Sequence, residues 1–296
     1  MKKKIVIIGA KGMLGSDLVS LFIKDSDYEV VAWDREDIDI TNEELLINGI
    51  LAEKPKIIIN AVGYNAVDKA EESEEEFALA MKINANAPEN LAKIAKKIDA
   101  IFVQYISDYI FSGKKGKYVE SDKASPISKY GQSKAVGEKK VIKVGGKNYL
   151  IRISKLFGKP AKSDMAKKSF FEVMLNLAKE KDELKVVNSE RSCFTYTPDL
   201  ALATKKLIEE KYPYGVYHIV NEGAVTWYEG ARKLFDLAKI DTQKIKVIPV
   251  GSEEFSRPAK RPVSSVLVNT KFPKLRPYEE ATTRSEERRV GKECRS

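Results

Sequence analysis

Near its amino terminus the chain places a glycine-rich loop between an apolar strand and an apolar helix. Residues 2–8 are rich in Ile and Val, which predicts a buried strand, and the helical pattern after the loop runs to Phe22. The loop between them reads GAKGMLG, from Gly9 to Gly15. Glycines let a backbone approach a pyrophosphate, and a helix N-terminus offers amide N–H groups and partial positive charge. The spacing is GxxGxxG rather than GxGxxG, and turn chemistry alone would also satisfy it, but its context favours a dinucleotide site.

The strand–helix alternation continues through the first half of the chain. Further strands are predicted at residues 28–33, 55–60, 100–107 and 148–154. Helix starts with capping boxes are predicted at Thr41, Ser73 and Thr226, and Pro88 is expected to kink or divide a long helical stretch. This order is typical of an α/β fold with a doubly wound parallel sheet, whose ligands lie beyond the carboxyl ends of the strands.

Polar residues follow several of these predicted strand ends. Asp34 could bind the adenosine ribose hydroxyls, and Arg35 beside it could accept a 2′-phosphate, so the choice between NADH and NADPH stays open. Ser107 could hydrogen-bond a substrate carbonyl. The alternatives are a turn role for Asp34 and a strand-end cap for Ser107.

Tyr130 and Lys134 are four residues apart in the segment SPISKYGQSKAVGE, whose Ser-Pro opening predicts a helix start at Ser125. On a helix they share a face, and a neighbouring ammonium is expected to lower the pKa of the phenol so that it can exchange protons. Thirteen tyrosines in a Lys-rich chain would give roughly one or two such pairs by chance, so the pair gains weight from its surroundings.

The composition narrows the classes of partner and compartment. The net charge of +9 is dispersed over many lysines, and the clearest local cluster, residues 71–76, is acidic, so we expect no nucleic-acid partner. No apolar run approaches the ~20 residues that span a bilayer, so no membrane partner is expected. Two cysteines, Cys193 and Cys294, suit a reducing cytoplasm. His218 lies in an apolar strand and is interpreted as a core residue, and no cluster predicts a metal site.

The alternation loosens after the fifth strand. A helix is predicted at residues 165–182, and strands at residues 183–188, 214–220 and 244–250. We expect a Rossmann domain from residues 1–154 with 183–221, and a small substrate-binding α/β lobe from residues 155–182 with 222–283. The last segment, RSEERRVGKECRS at residues 284–296, resembles translated sequencing adapter and is left out of the fold prediction.

Taken together, these motifs resemble the extended branch of the short-chain dehydrogenases/reductases, and more closely the dTDP-4-dehydrorhamnose reductases. The likeness covers roughly residues 4 to 280. The segments that carry it are INAVGYNAVDKAE (59–71), SDYIFSG (107–113), YVESDKASPISKYGQSKAVGE (118–138), LIRISKLFG (150–158), FTYTPDLA (194–201), GVYHIV (215–220), TWYEGARKLF (226–235) and PAKRPVSS (258–265).

The resemblance implies a reductase that uses NADPH or NADH and takes a nucleotide-sugar substrate. Its catalytic residues would be Ser107, Tyr130 and Lys134, and its substrate contacts would be Ser107, Asp108, Tyr109 and Lys155. The cofactor contacts that it implies are Gly9, Lys11, Gly12, Met13, Leu14, Gly15, Asp34, Arg35, Asp39, Ile40, Asn60, Ala61, Gly63, Tyr64, Asn65, Tyr105, Tyr130 and Lys134.

Three departures from the family pattern bear on the substrate and on stability. The family usually has a sugar-contacting Trp where this chain has Lys155, and its Asp-Gln-x-Gly-x-Pro-Thr run reads Ser189-Glu-Arg-Ser-Cys-Phe-Thr195 here. The adapter-like tail also interrupts the start of the closing helix at residues 277–281. An indole would cover the methyl face of a deoxysugar, whereas an ammonium favours a more polar hexose, unless Lys155 points to solvent and a neighbouring aromatic stacks instead.

Two other functions fit the same motifs. One is another reaction on a nucleotide sugar, such as epimerisation with a retained cofactor. The other is a non-catalytic NADP-binding protein that resembles the regulatory subunit of methionine adenosyltransferase. The oligomeric state is open, with a homodimer as one expectation.

Overall fold

A computed structural model describes residues 2–163, 166–241 and 245–293. Its strands are β1 (Lys3–Ile8), β2 (Tyr28–Trp33), β3 (Ile57–Asn60), β4 (Ile101–Ser107), β5 (Gly116–Tyr118), β6 (Asn148–Ile153), β7 (Leu156–Phe157), β8 (Glu183–Val187), β9 (Arg191–Cys193), β10 (Thr195–Tyr196), β11 (Gly215–His218), β12 (Ala224–Thr226), β13 (Lys246–Val250) and β14 (Ser265–Leu267). Its helices are α1 (Met13–Phe22), α2 (Glu43–Glu53), α3 (Lys69–Glu72), α4 (Glu74–Met81), α5 (Ala87–Lys97), α6 (Lys129–Val144), α7 (Phe170–Glu180), α8 (Thr197–Glu209), α9 (Trp227–Leu237) and α10 (Tyr278–Glu293).

A parallel sheet of six strands in the order β2-β1-β3-β4-β6-β11 forms the centre of the protein. The strand order reverses between β1 and β3, and the crevice beyond the carboxyl ends of those strands is where open α/β sheets bind ligands. The predicted α/β class and doubly wound parallel sheet are therefore confirmed.

Helices cover both faces of the sheet. On one face, Leu18 of α1 and Leu207 of α8 pack on the sheet. On the other face, Ile50, Leu91 and Val141 of α2, α5 and α6 do the same. Both faces of the strands are buried, which explains why the strands read as continuous Ile/Val runs.

A smaller lobe packs around α7, α9 and the start of α10, with Phe171, Phe194 and Phe235 in its core. In this lobe β8 pairs in parallel with β13, and β9 pairs antiparallel with β12. The expectation places β8 with the Rossmann domain, whereas its partner strand comes from residues 246–250. The proposed division stays a prediction.

Several predicted helix starts are corrected by the side chain that caps the helix. Asn42, not Thr41, caps α2 by accepting from the amide of Leu45, and Ser128, not Ser125, caps α6 by accepting from the amide of Gly131. Capping at Ser73 and the capping box at Thr226 are confirmed. Before Pro88 the chain forms a π-helical turn, Lys82–Asn86, which divides the predicted long helix.

The remaining differences concern element ends. The helix predicted at 165–182 is seen as Phe170–Glu180, and the strand predicted at 244–250 as Lys246–Val250; residues 165 and 244 lie outside the described residues. Helix α10 begins at Tyr278 and continues through Glu293, across the start of the adapter-like segment. Within the described ranges, no helix is long and apolar enough to cross a membrane.

Candidate active site

The loop between β1 and α1 is a tight turn in which the backbone packs on itself. Gly9 has φ +82°, and the amide of Gly12 donates to its carbonyl at 3.1 Å. A Cβ on Gly15 would lie 1.9 Å from the same carbonyl oxygen, so only glycine fits there. Met13 and Leu14 begin α1, with its free amide groups directed towards the loop. The loop therefore has the close backbone approach that a pyrophosphate site requires.

Asp34, at the end of β2, holds this loop in place. Its carboxylate accepts from the amides of Lys11 at 2.8 Å and Arg35 at 2.9 Å. Nearby, Asp39 accepts from Thr41, and Ile40 is buried in the core. Asp34 thus lies beside the glycine loop, where a ribose is expected, and Arg35 is exposed next to it.

Arg35→Ala should weaken NADPH binding about tenfold and leave NADH binding nearly unchanged, because the guanidinium would contact only the 2′-phosphate. Titration of both cofactors checks this, with Lys24→Ala as a control that removes an exposed cation elsewhere. Equal losses for the two cofactors would show that Arg35 does not contact the phosphate.

The segment after β3 brings the cofactor loop to the catalytic helix. A Cβ on Gly63 would lie 2.8 Å from Nζ of Lys134, so glycine leaves room for the ammonium. Ala61 is half-buried in the same segment, and Oδ1 of Asn65 accepts from the phenol of Tyr130 at 3.3 Å. The sequence-predicted loop and helix therefore meet at one place.

Ser107, Tyr130 and Lys134 converge there, as the sequence predicts. Ser107 ends β4, and its hydroxyl lies within hydrogen-bonding reach of the Tyr130 phenol. Tyr130 and Lys134 lie in the first two turns of α6 and are buried, at 6% and 5% exposure. Tyr109 packs its ring edge-on to that of Tyr130, 5.8 Å between centroids.

The electrostatics of this group differ from the sequence-based expectation. Burial raises the pKa of Tyr130 to about 12, although its hydrogen bond with Ser107 acts in the opposite direction. Burial also lowers the pKa of Lys134 to about 8. The phenol pKa is therefore raised overall rather than lowered as the sequence predicts, because desolvation dominates. At pH 7 the phenol is protonated, which suits a proton donor.

The pKa of Lys134 predicts a pH dependence for cofactor binding. Because Lys134 loses its charge as pH rises through about 8, affinity for NADPH should fall roughly fivefold between pH 7 and pH 9. Lys134→Ala should bind more weakly at every pH and lose this dependence. A wild-type dissociation constant that stays flat across the range would show that the ammonium does not contact the cofactor.

Three predicted cofactor contacts have polar side-chain atoms that bond to other groups of the protein. Tyr105 is buried against α8 and shares a hydrogen bond of 2.9 Å with Thr204. The side chain of Asn60 is fully buried, and it donates to Gln104 and accepts from Val62. Alternation along a strand directs these side chains onto the covered faces of the sheet, so a cofactor contact at Tyr105 or Asn60 would use the backbone and stays a prediction. Tyr64 packs beside Tyr130, but its hydroxyl donates to Glu76 at 2.6 Å.

Asp108 is likewise buried rather than open to a substrate. Its carboxylate accepts from Ser107, Ser154 and Ser265 at 3.2, 2.9 and 2.5 Å. Burial raises its pKa, and these hydroxyls act in the opposite direction. Asp108 is therefore placed to orient Ser107, and its predicted direct contact with substrate is not supported by its 3% exposure.

Comparison with known proteins agrees with this geometry. Residues 2–292 match the family model described as RmlD substrate binding domain. A dTDP-4-dehydrorhamnose reductase from Aggregatibacter actinomycetemcomitans is 34% identical over 279 residues, covering 91% of this chain and 92% of the relative. The chain belongs to the RmlD substrate binding domain family.

Solved structures of this RmlD family share the fold over almost the whole chain. A dTDP-4-dehydrorhamnose reductase from Clostridium acetobutylicum has a TM-score of 0.89 and 38% identity, covering 97% of this chain and 99% of that one. The enzyme of the same name from Bacillus anthracis, solved in complex with NADP, also has a TM-score of 0.89, with 33% identity and coverage of 97% and 100%.

Lys155, the departure from the usual RmlD-family pattern, does not point to solvent. Its Nζ lies 3.9 Å from the centroid of the Trp227 ring and 5.1 Å from that of Phe194, and it donates to the carbonyl of Val225 at 3.4 Å. Burial lowers the pKa of Lys155 to about 7. The sequence also allowed a neighbouring aromatic side chain to stack on the sugar. That neighbour is Trp227, and the Lys155 ammonium lies over one face of its ring.

Two polar clusters join segments that are distant in the chain, and sequence reasoning assigned them no role. Arg261 forms a bidentate pair with Asp68, which joins the segment 258–265 to the loop after β3. Glu190 accepts from Nε1 of Trp227 at 3.1 Å and also pairs with Arg257. The segments PAKRPVSS and TWYEGARKLF contain Arg261 and Trp227 and could have indicated these contacts. Sequence alone, however, does not show which side chains meet across the lobes.

Proposed function

We propose that this protein is an NAD(P)H-dependent reductase of the 4-keto group of dTDP-4-dehydrorhamnose, forming dTDP-L-rhamnose for polysaccharide synthesis in the cytoplasm. One observation carries the proposal: Ser107, Tyr130 and Lys134 meet beside the glycine loop, in a chain whose relatives are named dTDP-4-dehydrorhamnose reductases. A relative from Bacillus subtilis is named spore coat polysaccharide biosynthesis protein SpsK, which agrees with that destination.

The residues present fit a nicotinamide dinucleotide. The turn at Gly9 and Gly15 leaves no space for a Cβ and offers the α1 amides to a pyrophosphate. Asp34 lies beside that loop and suits a ribose diol, and Lys134 lies beside Gly63. When bound, the reduced nicotinamide supplies the hydride for the reaction.

The protein contributes a proton donor, a carbonyl contact and a dry setting. Tyr130, protonated at pH 7, donates its phenolic proton to the substrate oxygen as negative charge develops there. Ser107 exchanges its 3.2 Å bond to Asp108 for a hydrogen bond to that oxygen. Lys134 holds ribose hydroxyls and favours the negative charge that Tyr130 acquires. Burial of Tyr130 and Lys134 strengthens their interactions by excluding water.

Lys155 is the residue that we propose adjusts the sugar specificity. Its ammonium covers the Trp227 face, and Phe170 packs at 4.7 Å between centroids on that indole. The aromatic surface that a deoxysugar methyl group could cover is thus largely occupied. We therefore expect a more polar hexose on the same nucleotide diphosphate to bind this protein more tightly than it binds relatives that have an indole at this position.

Lys155→Trp should raise kcat/KM for dTDP-4-dehydrorhamnose at least tenfold, about 1.4 kcal/mol, because it restores an apolar face and releases Trp227. Lys155→Met is the matched variant that removes the charge but adds no indole. If neither kinetic constant changes in Lys155→Trp, the residue does not contact the sugar and does not adjust the specificity.

The proposed function is tested by following NADPH oxidation with a panel of 4-keto nucleotide sugars that differ in nucleotide and hexose, with Tyr130→Phe as the inactive reference. Oxidation that depends on both dTDP and the 4-keto group supports the proposal. Cofactor binding without oxidation for any member of the panel would contradict it and favour a non-catalytic binding protein. We expect no nucleic-acid or membrane partner in this reaction, and a homodimer stays a prediction.

A further inference from the structure

A buried polar network behind the catalytic group joins helix α6 to the sheet. Arg152 of β6 donates from Nε and Nη2 to the two carboxylate oxygens of Glu138, each at 2.7 Å. Arg152 and Glu138 are 4% and 5% exposed, so this bidentate pair lies in the interior. A bidentate contact between planar groups fixes orientation as well as distance, so it sets how α6 lies on β6.

The other nitrogen of the same guanidinium is held by His218, the single histidine of the chain. Nη1 of Arg152 donates to the carbonyl of Glu120 at 3.2 Å and lies 3.2 Å from Nε2 of His218. Nδ1 of His218 lies 3.1 Å from the carbonyl of Val268. A carbonyl only accepts and a guanidinium only donates, so Nδ1 carries the proton and Nε2 accepts. The geometry requires one neutral tautomer.

The network continues to the segment that follows β14. The carboxylate of Glu120 accepts from the amide and hydroxyl of Thr270 at 3.0 and 2.6 Å, and from the backbone amide of His218 at 3.3 Å. These contacts hold the ring of His218 and the carbonyl of Glu120 in place, and together they direct Arg152 towards α6.

Glu138 lies on the same face of α6 as the catalytic residues, four positions after Lys134 and eight after Tyr130. On the side of α6 that meets the π-helical turn, a Cβ on Gly137 would lie 2.0 Å from the carbonyl oxygen of Asn84, so the helix cannot move closer to that turn. The helix is therefore clamped between a backbone contact and the Arg152 pair. A shift at Glu138 would be carried along the rigid helix to Tyr130.

We propose that His218 is a positioning residue for the reductase: its neutral ring accepts from Arg152 and thereby keeps the Arg152–Glu138 pair that aligns Tyr130 and Lys134. This inference rests on the proposed function, because the residues that it aligns are those of the proposed reaction. The sequence-based interpretation of His218 as a core residue is correct for its burial but leaves out this contact.

The charges around the ring predict how the network responds to pH. The groups that face it are Arg152, Glu120 and, at longer range, Asp122, together with the carbonyls of Tyr118 and Val268. Burial first, and then the charge of Arg152, lower the pKa of His218 to about 4. In the unfolded chain the histidine pKa is ~6.5, so the unfolded state binds more protons between these values, and stability should fall as pH drops from about 6.5 to about 4.

Nitrogen NMR of uniformly ¹⁵N-labelled protein without a histidine tag tests the tautomer directly, because one histidine gives an unambiguous ring signal. The expected spectrum shows Nδ1 protonated and Nε2 unprotonated from pH 7.5 down to pH 5.5. An Nε2–H tautomer, or a ring that titrates near pH 6.5, would overturn the proposal without any reference to substrate.

Two variants separate positioning from mere packing. The shorter amide of His218→Asn can replace Nδ1 but cannot reach Arg152, whereas the amide oxygen of His218→Gln can replace Nε2 as acceptor. We expect His218→Asn to lower kcat for dTDP-4-dehydrorhamnose at least tenfold with KM within threefold, and His218→Gln to retain kcat within threefold.

Asp199→Asn is the matched control, because it breaks another ion pair of a buried carboxylate, Asp199–Arg276 at 2.9 Å, whose partners lie outside α6. It should lower the melting temperature without lowering kcat. If His218→Asn behaves like this control, the role is structural and the proposal is wrong. If the wild type does not reduce the sugar, the proposed function fails. The positioning role of His218 is then tested by NADPH affinity, with an expected loss of at least fivefold in His218→Asn and none in Asp199→Asn.

Discussion

Tyr130→Phe should lower turnover by ~10²–10⁴-fold while leaving NADPH affinity within a few-fold. The reason is that the phenol gives a proton to the substrate oxygen, whereas Lys134 and the glycine loop hold the cofactor. The variant also keeps the ring that packs against Tyr109. Steady-state kinetics and a cofactor titration on the same preparation measure the two effects separately.

Tyr105→Phe is the matched control for this variant, because it removes a buried phenol that bonds to Thr204 on the far side of β4. It should leave kcat within about threefold, since surface or core changes that do not reach a site act mainly on stability. Activity of Tyr130→Phe within tenfold of the wild type would show that another group donates the proton.

Gly15→Ala should weaken NADPH binding by roughly 5–150-fold, the equivalent of the ~1–3 kcal/mol typical of overpacking. The added Cβ would lie 1.9 Å from the carbonyl oxygen of Gly9 and 2.8 Å from its carbonyl carbon, and backbone atoms cannot move aside as a flexible side chain can. The loop must then open, and the amides of α1 no longer point towards the pyrophosphate.

The matched control for that prediction is Gly49→Ala in α2, where the new Cβ would meet only side-chain atoms, the nearest at 3.1 Å in Trp33. Cofactor affinity should be unchanged there. A fluorescence titration in which Gly15→Ala binds NADPH as tightly as Gly49→Ala does would mean that the glycines only allow the turn and that the loop does not bind the pyrophosphate.

The first half of the fold could be predicted because parallel strands covered on both sides give an unbroken apolar pattern, and helices and strands alternate strictly there. The meeting of Ser107 with Tyr130 and Lys134 followed from the same logic: one residue ends a strand, and the others share a helix face beside it. Neither inference required knowledge of long-range contacts.

The features that sequence did not predict depend on such contacts. β8 finds its partner in β13, about sixty residues later, and no local pattern specifies that pairing. The direction of the Tyr130 pKa depends on how far burial outweighs a nearby charge, and burial is a property of the folded cleft. The position of Lys155 on Trp227 and the contact of His218 with Arg152 join segments that are dozens of residues apart.

The most direct test of the central claim uses NADPH that carries deuterium at the transferable position of the nicotinamide, with dTDP-4-dehydrorhamnose and the wild-type protein. Mass spectrometry and NMR of the product, together with the loss of NADPH absorbance, give the label position and the stoichiometry. We predict one NADPH oxidised for each dTDP-rhamnose formed, with one deuterium at C4 of the sugar. A product without deuterium and without net NADPH oxidation would contradict the account and identify an epimerase, and bound NADPH with no product would contradict it in favour of a binding protein.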